Sequence, residues 1–261
     1  MENIFDNFSG NLTLQRAGLR FGDKGTQSSR TIMFTELEEL FRVIPTESER
    51  FDYTSAITEE NILGKQTVSN RRLTNQRLGE LYGLDRKLPI FRVFRLLWDL
   101  DPEGRPLLAL LCALARDPLL RFTAPSILNL LPGAELIRTN FLEALSQSIG
   151  PRMNPRTLDQ VARNSGSSWT QSGHLAGRDR KIRQKLNPTI GPAVFALWLG
   201  SIEGLAGEQL LQCRWSKVLD KTGLEMIELT LQAKQRGLIH ALIGGGVVKI
   251  DVSRLDSFKG V

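Results

Sequence analysis

The sequence is poor in the side chains that hold metals and carry protons. Among 261 residues it has two histidines, His174 and His240, and two cysteines, Cys112 and Cys213. Two cysteines in separate apolar stretches, with no CxxC spacing, argue against a disulfide framework and against a cysteine-based zinc site. They suit a reducing compartment. No HExxH, Walker-type phosphate loop, GxSxG or dinucleotide fingerprint occurs. Gly244-Gly245-Gly246 is not a phosphate loop, because Lys249 follows it with neither Ser nor Thr. Asp99, Asp101 and Glu103 surround Pro102 and read as a solvated turn. Long apolar runs are also missing. The most apolar stretches, Leu107–Leu114 and Ala193–Leu199, fall far short of the roughly 20 residues that span a bilayer. Glu2 and Asp6 precede any apolar run, so the start does not read as a signal peptide. These absences lead to a non-enzymatic, cytoplasmic protein with no membrane segment, metal or cofactor.

What the chain does have is positive charge, unevenly placed. The net charge is +6 from 34 basic and 28 acidic residues. Residues 1–63 carry 6 basic and 11 acidic groups, residues 64–187 carry 20 and 10, and residues 188–261 carry 8 and 7. A strongly basic middle is the footprint expected of a nucleic-acid partner.

The pattern is mainly α. Residues 1–30, with Gly10, Gly18, Gly22 and Gly25, read as a partly ordered arm. A helix is expected from Thr35, whose spacing to Glu38 matches a capping box, up to Pro45, and a helical turn over Ile57–Leu63. Residues 66–82 form a helix with Arg71, Arg72, Asn75 and Arg77 largely off its apolar stripe. Pro89 and Pro106 begin helices reaching Leu100 and Arg116, and another amphipathic helix covers 136–147. Gly150–Asn154 is a linker. Asn154-Pro155 starts a short helix that Asn164-Ser165-Gly166-Ser167 breaks, and a second begins near Ser168 with Trp169 and His174. Helices at 188–199, 208–213 and 224–236 follow, the last burying Leu224, Ile227, Leu229 and Leu231. Period-two runs at Ile239–Ile243 and Val247–Val252 flank the three glycines and give a hairpin. The expected architecture is a helical bundle body with winged helix-turn-helix-like modules and a C-terminal β-hairpin wing. Its parts are an acidic N-terminal arm with short helices (1–63), a basic helical body (64–150), a helix-turn-helix-like basic segment (151–187) and a winged-helix-like end (188–261).

Three groups are candidate nucleic-acid contacts. In the first, Lys65, Asn70, Arg71, Arg72, Asn75 and Arg77 mix cationic and amide donors. In the second, Arg178, Arg180, Lys181, Arg183 and Lys185 crowd five cations into eight residues beside Gln171, as a helix following a second helix-turn-helix. In the third, Lys234, Arg236 and Lys249 suit phosphates and Gln232 and Gln235 suit base edges, although Glu225 and Glu228 on the same helix oppose phosphate. His174 reads as a surface or nucleic-acid-contacting histidine, and His240 as a structural one.

The stretch Pro89–Leu120, with Arg92, Arg95, Leu96 and Trp98, then the LLALLCALARDPLLR run ending in Asp117, Leu119, Leu120 and Arg121, resembles the central segment of the BrxA-like proteins of bacterial BREX anti-phage defence systems. The helix with Arg71, Arg72 and Leu73 resembles that family's basic helix. The resemblance implies a small helical DNA-binding component without enzymatic activity, working beside other defence proteins. Residues and resemblance together lead to an accessory protein that grips double-stranded DNA mainly through phosphates, with low sequence specificity. An adaptor in a multi-subunit complex and a helix-turn-helix transcriptional regulator are the alternatives.

Overall fold

Prolines and short polar caps set where the helices begin. A computed structural model describes residues 4–149 and 153–256. In chain order the helices are α1 (Leu12–Arg16), α2 (Phe34–Val43), α3 (Arg50–Thr58), α4 (Val68–Tyr82), α5 (Pro89–Leu100), α6 (Arg105–Arg116), α7 (Pro118–Leu128), α8 (Arg138–Ile149) and α9 (Pro155–Gln171). A small hairpin, β1 (Leu175–Ala176) and β2 (Ile182–Arg183), comes next. Then follow α10 (Ile190–Ile202), α11 (Glu208–Leu211), α12 (Arg214–Val218), α13 (Gly223–Gln235), β3 (His240–Gly244) and β4 (Val247–Asp251). Proline occupies the first turn of α5, α6, α7 and α9, where its missing N–H costs nothing. Asp117 and Asn154 cap α7 and α9 through their side chains.

The protein is a mainly helical bundle closed by a small C-terminal antiparallel hairpin. Two helices are buried almost all round: α6 over Leu107–Arg116 and α10 over Ile190–Gly200. They pack against each other, with α4 on α6 and α5 on both. One hydrophobic cluster runs through them from Phe5 to Leu255. Among the described residues no helix is long and apolar enough to cross a membrane.

The structure departs from the sequence reading at several places. Helix α2 begins at Phe34 after Met33 with no side-chain cap, so the Thr35–Glu38 capping box does not form. Residues 155–171 form one helix, not two. Ser168 and Thr170 return their hydroxyls to the carbonyls of Asn164 and Gly166, and Ser165 and Ser168 face Gln27, so the polar break is absorbed by packing. The run from Arg178 is a hairpin, not a helix. Gly177, with φ +102°, turns the chain, and β1 pairs with β2 through Leu175–Arg183 and Ala176–Ile182. Residues 4–33 are a packed strap, held down by the aromatic anchors Phe5, Phe8 and Phe21. Phe5 and Phe8 meet Trp215 edge-on at 5.4 and 5.6 Å, and Phe8 meets Phe21 at 5.1 Å. Helix α3 covers Arg50–Thr58, where Glu49 and Asp52 form a capping box, in place of the helical turn expected over Ile57–Leu63. On α13 the buried side is Met226, Thr230 and Ala233, while Leu224 is 83% exposed. The Gly150–Asn154 linker falls partly on residues 150–152, outside the described residues.

Two stretches each run through helices into an antiparallel hairpin. In the first, α7 is followed by Gly133–Leu136, α8, α9 and the β1–β2 hairpin. Gly133–Leu136 lines the free side of β2, with Leu136 N–H donating to Lys181 O and Arg183 N–H to Ala134 O at 2.8 and 2.9 Å. In the second, α10, α11, α12 and α13 lead into β3–β4, paired in register from His240–Asp251 to Gly244–Val247.

Candidate nucleic-acid interface

At 100° per residue, α9 divides cleanly. Val161, Ala162, Ser165, Ser168 and Trp169 turn inward, and Trp169 Nε1 donates to Thr123 Oγ1 at 2.7 Å. Arg156, Gln160, Arg163, Ser167 and Thr170 follow at spacings of four, three, four and three, forming one stripe along the opposite side. Arg156 and Arg163 are exposed and the three between and beyond them are half-buried.

Both flanks of the stripe are occupied. On one side, Asp159 accepts from Arg138 and pairs with Arg163 Nε at 3.3 Å. The β1–β2 tip lies on the same side. Lys181 donates to Thr170 Oγ1 at 3.0 Å, and its stem passes over Gly166. On the other side, Asn164 Nδ2 donates to Gln27 O of the strap at 2.8 Å. The strap also reaches α4, where Arg30 Nη2 donates to Asn70 Oδ1 at 3.0 Å.

The hairpin tip keeps most of the expected cations outside. Arg178 is exposed, with no ion pair among the described residues. Arg180 is exposed and pairs with Glu135 at 2.6 Å, which holds that carboxyl below its usual value. Lys185 is exposed. Two residues of the group are structural instead. Arg183 is 2% exposed, and its guanidinium nitrogens go to Ile127 O, Gln184 O and Asp220 Oδ1. Gln171 accepts from Phe34 N–H and donates to Thr31 Oγ1, both at 3.2 Å, which fastens the strap. Arg183→Ala is expected to cost about 2 kcal/mol in chemical denaturation, below the usual figure for a broken buried pair because Asp220 still reaches solvent.

The group on α4 is largely committed. Lys65 pairs with Glu36 at 3.0 Å and Arg77 with Glu80 at 2.7 Å. Arg71 donates to Thr58 O at 2.7 Å, and Asn75 Oδ1 is buried without a partner. Arg72 is exposed and has no ion pair among the described residues. At the C-terminal end Lys234, Gln235, Arg236 and Lys249 are exposed and Gln232 is half-buried. A groove of about 640 Å³ beside α13 brings Glu103, Glu225 and Glu228 together with Lys221 and Arg236. The β3–β4 hairpin packs on α13 and α11.

Much of the basic excess in the middle is therefore internal. Arg95, Arg116, Arg121 and Arg183 are 3%, 5%, 7% and 2% exposed. Arg95 serves the carbonyls of Phe41 and Ile44, while Arg116 serves those of Gly18, Gly79 and Glu80. His174 is fully buried, not a surface histidine. It bridges Ser172 Oγ at 2.9 Å and Val218 O at 2.8 Å. His240, read as structural, is exposed on β3. Asp101 is more than a solvated turn residue, since it accepts from Thr189 Oγ1 and Gly191 N–H, each at 2.6 Å. Cys112 and Cys213 are buried thiols, and burial pushes Cys112 up to about 12. Among the described residues no group of three or more His, Cys, Asp or Glu is placed to hold a metal.

Sequence reasoning missed Arg138, Arg156, Gln160 and Arg163. The polar spacing from Arg156 to Thr170 was available as a signal, but it emerges only when 155–171 is one helix. No family model matches the chain, and no curated protein matches it.

Proposed function

We propose that the chain is a non-enzymatic protein that binds double-stranded DNA by laying α9 in the major groove while the β1–β2 tip meets the flanking backbone. The observation that carries this reading is the outward stripe of α9 lying beside Arg178, Arg180 and Lys181. Helix, short strand, helix, helix and hairpin is the order of a winged helix-turn-helix, and α9 holds the place of its groove-entering helix. The C-terminal stretch runs α10, α11, α12, α13 and then the β3–β4 hairpin, with no strand between its helices, and the carboxylates of Glu225 and Glu228 on α13 repel phosphate. The resemblance to BrxA-like proteins extends the reading to an accessory role among phage-defence proteins.

Binding should weaken with salt, since each neutralised phosphate contributes about −0.9 to the slope of log K against log salt. Changing Arg156, Arg163 and Arg178 to glutamine together is expected to reduce that slope by roughly 2, for the phosphate contacts of Arg156 and Arg178, and to weaken binding about a hundredfold near 0.1 M salt. Fluorescence anisotropy with a labelled duplex measures both. An unchanged slope and affinity would remove α9 and the hairpin tip from the interface. A second reading, a protein adaptor, is favoured by Leu224, Leu242 and Val247, all more than half exposed on the C-terminal unit.

A further inference from the structure

A protein that holds only phosphates needs positive charge at the right distances, and a mobile lysine fringe supplies it. The outward side of α9 is built differently. Gln160 is gripped at both ends: its Oε1 accepts from Arg163 Nη2 at 2.7 Å, and its Nε2 donates to Asn164 Oδ1 at 2.9 Å. Asn164 is held in turn by the backbone carbonyl of Gln27, at 2.8 Å. Arg163 is braced from the other side by Asp159, which Arg138 also grips. A continuous line of hydrogen bonds and one ion pair thus crosses the helix from α8 to the strap. It orients one amide and one guanidinium outward and fixes them against well-anchored elements. The next outward position is the small Ser167, which leaves room for a groove wall.

Orientation of this kind is what base reading requires. A guanidinium pairs with both O6 and N7 of guanine, and a glutamine amide with both N6 and N7 of adenine, only when each is aimed along the base edge. Holding them in place beforehand reduces the entropy lost on binding. Three residues along a helix advance about 4.5 Å, comparable with the roughly 3.4 Å between stacked base pairs. The two side chains therefore address neighbouring or next-neighbouring pairs.

We propose that α9 reads sequence, with Arg163 recognising a guanine and Gln160 an adenine one or two base pairs away. This inference rests on the DNA-binding reading above and replaces its low-specificity form. Arg156, at the start of the stripe and outside the network, is left as a phosphate contact.

The test is selection of bound duplexes from a pool whose random core is about one helical turn long, with the full chain at moderate salt, followed by sequencing. The expected result is enrichment of cores that place G and A one or two steps apart, with roughly tenfold discrimination at each position. Arg163→Lys keeps the charge and loses the planar fork, so the guanine should vanish from the motif, while the adenine weakens but remains because Asn164 still holds the Gln160 amide. Gln160→Ala should erase the adenine and keep the guanine. Thermal melting of each variant confirms that it folds. A bound pool with no enrichment, or a motif that neither substitution alters, overturns base reading by these residues and leaves DNA binding standing. No binding to any duplex at low salt overturns both.

Discussion

Replacing Asp117 with alanine is expected to lower the unfolding free energy by about 3–5 kcal/mol, because three backbone donors lose one buried acceptor. The carboxylate is 1% exposed. It accepts from Thr26 N–H at 2.7 Å and Gln27 N–H at 3.2 Å on the strap, and from Leu120 N–H at 3.1 Å in the first turn of α7. One side chain therefore caps a helix and fastens residues distant in sequence. Burial pushes its carboxyl upward, while the three N–H groups and Arg121 pull it back. The fit is close enough that a Cβ at Gly25 would lie 1.9 Å from Asp117 Oδ1. Urea denaturation near neutral pH measures the loss. Asp117→Asn should fall between the two, since an amide has one acceptor oxygen where the carboxylate has two. A loss under about 1 kcal/mol for the alanine variant would mean that water satisfies the strap without this anchor.

The second large effect is an acid one. Burial holds His174 down to about 3, and the Arg183 guanidinium acts in the same direction. The folded imidazole stays neutral over a range in which the unfolded chain's imidazole, near 6.5, takes up a proton. The unfolded state then binds more protons, so stability falls as pH drops below about 6.5 and this contribution levels off near 3. The slope is about 1.4 kcal/mol per pH unit, which gives roughly 2 kcal/mol lost by pH 5. His174→Gln removes the titration and leaves an amide able to donate to Val218 O. The stability gap between wild type and variant at pH 7 should therefore shrink by about 2 kcal/mol at pH 5, because the other titrating groups are common to both. Parallel losses in the two proteins would show that His174 becomes protonated without unfolding.

Helix starts and the C-terminal hairpin were legible in the sequence because local chemistry sets them. Pro89 and Pro155 mark first turns, and three glycines between alternating apolar residues mark β3 and β4. Apolar continuity revealed α6 and α10. What failed depended on contacts distant in sequence. Asn164-Ser165-Gly166-Ser167 looks like a helix break until Gln27 meets Asn164, Ser165 and Ser168, and the aromatics of residues 4–33 look isolated until Trp215 gathers them. Charge was the most misleading signal at the site. Arg183 carries the same formal charge as Arg178 but is spent inside on Asp220. Lys65 and Arg77 on the α4 side are likewise paired with carboxylates. The segment from 178 to 185 was recognised as basic, but its partner helix was not, since the spacing of Arg156, Gln160 and Arg163 matters only along an unbroken α9.

The central claim is that one unit of this protein, α9 with the β1–β2 tip, carries the DNA. The most direct measurement compares two charge-neutralised proteins against wild type in duplex binding at low salt. One has Arg156, Arg163 and Arg178 changed to glutamine, and the other has Lys234, Arg236 and Lys249 changed in the same way. The two sets remove equal charge, so a loss of affinity confined to the first variant is the predicted result. Loss confined to the second, or equal losses in both, would contradict it.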